Sequence, residues 1–187
     1  MMHILLLSLN FLLMMAMPLV LATMIQRRRR PGWGLFGIGA VTFVASQVLH
    51  LPFNRLVLGA GLLPQDTAVV ANLLILSIFL GLSAGLFEEV FRYLAYRFWA
   101  KTARDWGQGL MLGAGHGGIE AILLGLLGGI NWAVMLLVER GGLRAVLPPE
   151  TITAAQTQYA VLMDLPWTMT LFGALERVFA LALHLAC

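Results

Sequence analysis

Carboxylates and imidazoles recur in this chain inside stretches that are otherwise small and apolar. The first group is Glu88, Glu89 and Arg92, within Ser83-Ala84-Gly85-Leu86-Phe87-Glu88-Glu89-Val90-Phe91-Arg92. On a helix Arg92 lies four residues from Glu88 and three from Glu89, so it can neutralise one of them well. The other is left desolvated, the state in which a carboxylate serves as a general base. A salt bridge at a helix end is the competing reading, because Arg92, Tyr93, Arg97 and Trp99 also resemble an interfacial flank.

The second group is Gly113-Ala114-Gly115-His116-Gly117-Gly118-Ile119-Glu120. His116 and Glu120 are one turn apart, a spacing that suits a pair of metal ligands or an imidazole oriented by a carboxylate. The glycines cost helix stability and make sense where another backbone or a substrate comes close. A packing seam of small residues would explain the glycines alone. Glu176, Arg177 and His184 form the third group. Residues 177 and 184 are seven apart and share a face, so His184 could bring a second imidazole to the same site. A local Glu–Arg compensation beside an unrelated histidine is the alternative. His50, before Leu51-Pro52, reads as an interfacial or packing residue rather than a ligand.

The elements that carry these groups must lie in a membrane. Of 187 residues, 60% are apolar and 11% charged, with a mean hydropathy of +0.87. Soluble domains carry about a quarter charged residues, so a water-soluble core is excluded. A single cysteine, Cys187, excludes a disulfide scaffold. The net charge of +3 does not point to nucleic acid, since the run Arg27 to Arg30 follows an apolar stretch directly. Such a run anchors a helix end on the cytoplasmic side. No Gly-x-Ser-x-Gly, Walker loop or Cys-x-x-Cys is present.

The sequence predicts an all-α, polytopic transmembrane bundle of about five helices in one membrane-embedded domain, residues 1–187. The helices are expected at about 1–25, 33–53, 67–99, 107–138 and 166–187. Asn54 to Asp66 and Glu139 to Leu165 are expected as outer loops, and Lys101 to Trp106 as an inner polar turn. The 33 positions of the third segment would span roughly 50 Å against ~30 Å of hydrocarbon, so it must tilt, break or project. The inner connections hold Arg27 to Arg30, Arg97, Lys101 and Arg104; the outer ones hold Arg55, Arg140 and Arg144. That excess places the amino terminus outside. The last helix lacks a basic or aromatic flank, which suggests a fragment truncated at its carboxyl end.

Register links two of the groups. The midpoint between Glu88/Glu89 and His116 falls near residue 102, inside the polar turn. An antiparallel hairpin would put both at one depth, about 13 residues or roughly 20 Å from its tip.

With these motifs in order, the chain resembles the YhfC family of intramembrane metalloproteases, distant relatives of the CAAX-processing and PrsW membrane peptidases and of a scaffold subunit of γ-secretase. The resemblance rests on Glu88-Glu89-x-x-Arg92, Gly115-His116-Gly117-Gly118-x-Glu120 and Glu176-Arg177 with His184, and includes Ser46-Gln47 with His50-Leu51-Pro52. The CAAX branch has three residues between its paired Glu and Arg; this chain has two, Val90 and Phe91. The resemblance implies a membrane-embedded endopeptidase in which Glu88 or Glu89 activates water against a peptide bond, with Arg92 as structural partner. It gives His116 and His184 a divalent metal such as zinc, or the water itself, with Glu120 orienting His116 and Glu176 and Arg177 in support. Some branches look like metal-free glutamic peptidases, so both chemistries stay open. The implied partners are the lipid bilayer and a membrane protein or peptide substrate, and the implied location is the cell membrane. Two other readings compete: a non-catalytic scaffold of the same fold, and a Glu/His proton-coupled transporter. The second would show internal repeats, and none is visible.

Overall fold

Inside hydrocarbon a backbone must satisfy its own hydrogen bonds, so long apolar segments have helix as their one local solution. A computed structural model describes residues 1–186, and among them contains six α-helices and no strand. They are α1 (Met2–Arg29), α2 (Trp33–Gly59), α3 (Val70–Leu94), α4 (Trp106–Glu139), α5 (Pro149–Asp164) and α6 (Phe172–Ala186). Five helical stretches are long and apolar enough to cross a membrane: α1, α2, α3 with the turn that follows it, α4, and Trp167–Ala186. Cys187, the expected last residue of the fifth segment, lies outside the described residues.

Several boundaries differ from the sequence expectation. Helix α1 continues through the arginine run, whose positive charges suit a helix carboxyl end. It stops where Arg30 adopts a left-handed φ of 53°, and the side chain of Gln26 accepts a hydrogen bond from the Gly32 amide at 3.0 Å. Helix α2 runs past Pro52 to Gly59, so the expected loop from Asn54 begins too early. Proline removes one bond, to the carbonyl of Val48, and in an apolar segment the rest of the helix has no better alternative. The overlong third segment breaks: α3 passes into a π-helical turn at Ala95–Trp99. The second outer connection is not all loop, because it contains α5. Pro149 opens that helix, where its fixed φ is favourable and its missing N–H costs nothing.

Two compact units are present, Met1–Met24 with Gly117–Cys187, and Ile25–His116. In the second, α2 packs along α3 and meets the first turns of α4 backbone to backbone. A Cβ on Gly39 would overlap the Leu112 carbonyl, and one on Gly115 would overlap that of Phe36. In the first unit, α1 lies on the later turns of α4, with Gly128 facing the ring of Phe11 and Gly125 facing Met14 and Met15. Leu7, Trp132, Met135, Val138 and Ala155 form its core, and Tyr159 of α5 stacks on Trp132. Asn10 of α1 accepts the Ala174 amide at 2.8 Å, satisfying an otherwise orphaned donor at the start of α6.

Candidate functional site

Within the unit Ile25–His116 the carboxylate of Glu88 meets an imidazole. Glu88 Oε2 lies 3.6 Å from His116 Nε2. His116 is completely buried and the side chain of Glu88 is 14% exposed. Phe43 sets its ring edge-on against His116, with centroids 5.4 Å apart. Gln47 donates a hydrogen bond from Nε2 to the other carboxylate oxygen, Oε1, at 3.3 Å. An ionisable pair at this depth is a functional candidate by default, because an unsupported charge there costs several kcal/mol.

The neighbouring carboxylate behaves differently. Glu89 is 54% exposed, and its Oε1 lies 3.2 Å from Nη1 of buried Arg92. The spacing left open which glutamate Arg92 neutralises; the structure pairs it with Glu89 and keeps Glu88 inside.

Within the other unit Glu120 is the centre. Its Oε1 lies 2.7 Å from Arg177 Nη1, and its Oε2 lies 3.2 Å from His184 Nε2. Glu176 binds the same guanidinium through both carboxylate oxygens while its own side chain stays largely exposed. The imidazole held by Glu120 is thus that of His184. Gly117 makes room for it, since a Cβ there would stand 2.5 Å from His184 Cδ2.

Sequence reasoning placed His50 among the packing residues, and the structure assigns it more. It is buried and bonds to Gln47, Ser83 and Asn54. The available signal was periodic: residues 46, 47, 50 and 54 are polar in an apolar helix and recur at helical spacing. Asn10 of α1 was also missed, since no polar residue stands three or four positions from it in the helix.

The donor set also bears on a metal. Zinc takes imidazole nitrogen and carboxylate oxygen at about 2.0–2.2 Å in a tetrahedron, which separates two ligands by about 3.3 Å. The Glu88–His116 separation is longer than a good hydrogen bond and near that tetrahedral edge, so the residues present fit a divalent cation.

Helices with part-buried carboxylates and buried imidazoles on their membrane-crossing stretches define an integral membrane protein with polar groups on those stretches. The chain belongs to the YhfC intramembrane metalloprotease family, whose model matches residues 13–187. It is 33% identical over 181 residues to "Uncharacterized membrane protein YhfC" of Bacillus subtilis (strain 168). That alignment covers 90% of this chain and 66% of the relative, so the chain spans just under two thirds of the relative's length. No solved structure matches it.

Proposed function

We propose that the chain hydrolyses a peptide bond of a membrane-embedded protein or peptide, with Glu88 as the general base. The observation that carries this reading is the Glu88–His116 pair, a slightly exposed carboxylate against a completely buried imidazole. Glu88 Oε2 takes a proton from water as the water oxygen attacks the scissile carbonyl carbon. When the C–N bond breaks, the same carboxyl returns that proton to the leaving amine. Gln47 holds Oε1 and leaves Oε2 for the water. Exclusion of bulk water around His116 strengthens every such interaction.

The family name and the donor set support a divalent cation in this chemistry, for which His116 and His184 are each candidate ligands. When bound, it supplies Lewis acidity to the carbonyl under attack. Glu120 then acts on His184, fixing its ring and tautomer as carboxylates do for metal-bound histidines. Arg177 and Glu176 keep Glu120 in place. The distribution of basic residues favours an outward amino terminus, with Arg27 to Arg30 in the cytoplasm.

The test is cleavage in native membranes, with protein levels measured alongside. Glu88→Gln keeps the shape and cannot take the proton, so a loss of about 10²- to 10⁴-fold at normal protein level is expected. Glu88→Gln and His116→Ala variants that both process substrate at the wild-type rate would leave a scaffold of this fold and remove the peptidase reading.

A further inference from the structure

Beside the Glu88–His116 pair lies a largely buried polar cluster, on α2 and α3, of which the chemistry above uses only Gln47. It comprises Gln47, His50 and Asn54 of α2 and Ser83 of α3, with Ser46 beside it. Between Glu88 and His50 its hydrogen bonds admit one consistent direction. Ser46 Oγ donates to the Phe43 carbonyl at 2.7 Å, so towards Gln47 it can only accept, at 3.4 Å. A carboxylate oxygen such as Glu88 Oε1, 3.3 Å from the Gln47 nitrogen, is likewise an acceptor. Both neighbours therefore demand the NH2 end of the Gln47 amide, and its oxygen is left facing His50 Nδ1 at 3.1 Å.

An amide oxygen there requires His50 to carry its proton on Nδ1. Nε2 must then accept, and the Asn54 amide nitrogen stands 2.9 Å away to donate. Ser83 Oγ can give its one proton to Asn54 Oδ1 at 3.0 Å or to the Leu80 carbonyl at 3.1 Å. The order runs Asn54 to His50 to Gln47 to Glu88, each group donating to the next. His50 and Ser83 are both buried, where a wrongly turned donor would leave two groups unsatisfied. Bonds aligned in this way also polarise one another.

We infer that His50 is a positioning residue for Glu88, acting through Gln47. Held as the Nδ1–H tautomer, it fixes which end of the Gln47 amide meets Glu88 Oε1, and so fixes where Oε2 points. The inference rests on the peptidase reading for its kinetic consequence, and on hydrogen-bond geometry alone for the tautomer.

Two measurements test it separately. In detergent-solubilised full chain with ¹⁵N-labelled histidine, the His50 signals, assigned by their loss in His50→Asn, should show the proton on Nδ1. Free neutral histidine favours Nε2, so the expected state is unlike the default. Gln47→Leu should abolish the preference while the fold persists. A proton on Nε2 of His50 in the unsubstituted protein overturns the inference, whatever the activity. For the reaction, His50→Asn keeps a donor where Nδ1 stood and should stay near the wild-type kcat. His50→Ala and His50→Gln should lower kcat by about ten- to hundredfold with KM unchanged, the scale of a small misplacement. An unchanged kcat in His50→Ala overturns it. Absence of cleavage by the unsubstituted protein removes the peptidase reading instead, and the tautomer then decides the hydrogen-bond order alone.

Discussion

Glu88 and Glu120 are both part-buried glutamates facing a histidine, and their surroundings differ in kind. Glu120 shares its oxygens between a guanidinium at 2.7 Å and an imidazole at 3.2 Å, and the guanidinium is itself doubly bonded to Glu176. Glu88 is held at one oxygen by a neutral amide, while the other faces His116 at 3.6 Å. An arginine so close holds a carboxylate in a fixed ion pair, whereas an amide orients the group without neutralising it. On the reading proposed above, the contrast separates a carboxylate that holds structure from one that serves as base.

Substitutions can break that contrast, and the largest effects should come from exchanging the two roles. Glu88→Gln should remove nearly all cleavage with little change in thermal unfolding, whereas Arg177→Ala should unfold the protein far more readily. The second change strands a part-buried carboxylate, for which a loss of about 3–5 kcal/mol is typical. Detergent-resistant thermal unfolding of both variants, beside their cleavage rates, checks the pair. If Arg177→Ala unfolds like wild type, Glu120 is not the structural member.

A smaller effect is expected at Gly117. Alanine there must displace the His184 ring, whose Cδ2 would stand 2.5 Å from the new methyl group. The rate should fall by up to about 10²-fold, as for other misplaced groups, with the helices intact by circular dichroism. An active Gly117→Ala protein would remove His184 from the chemistry.

Glu89 sharpens the comparison from the other side. It is 54% exposed and pairs with the buried Arg92 rather than with an imidazole. Glu89→Gln should therefore leave cleavage within about fivefold of wild type. A loss as deep as that of Glu88→Gln would move the base to Glu89.

Much of this was legible beforehand because hydrocarbon leaves a chain few choices. Apolar runs of sufficient length specified the membrane-crossing helices, and symmetric spacing about residue 102 matched Glu88 with His116. The failures have equally physical causes. Pro52 stands just before one expected loop and Pro148-Pro149 within the other, yet Pro52 sits within α2 and Pro149 opens α5. Proline constrains only its own φ and one donor, and its surroundings decide whether it ends a helix or begins one. The choice between Glu88 and Glu89 was hidden because both spacings reach Arg92, and exposure rather than periodicity separates them. His50 was undervalued because its partners come from two helices, and the order of an amide chain shows only when every donor has been followed to its acceptor.

The π turn at Ala95–Trp99 bears on how this lineage can vary in length. Such a turn is an α-helix with one extra residue folded into it. Losing a residue there returns the segment to ordinary α geometry and leaves both flanks where they were. The same loss between Gly107 and Gly115 would rotate His116 by about 100° around its axis, away from Glu88. Insertions and deletions among related sequences should therefore collect at the turn and be purged from the start of α4, making the irregular segment the tolerant one and the regular helix the strict one.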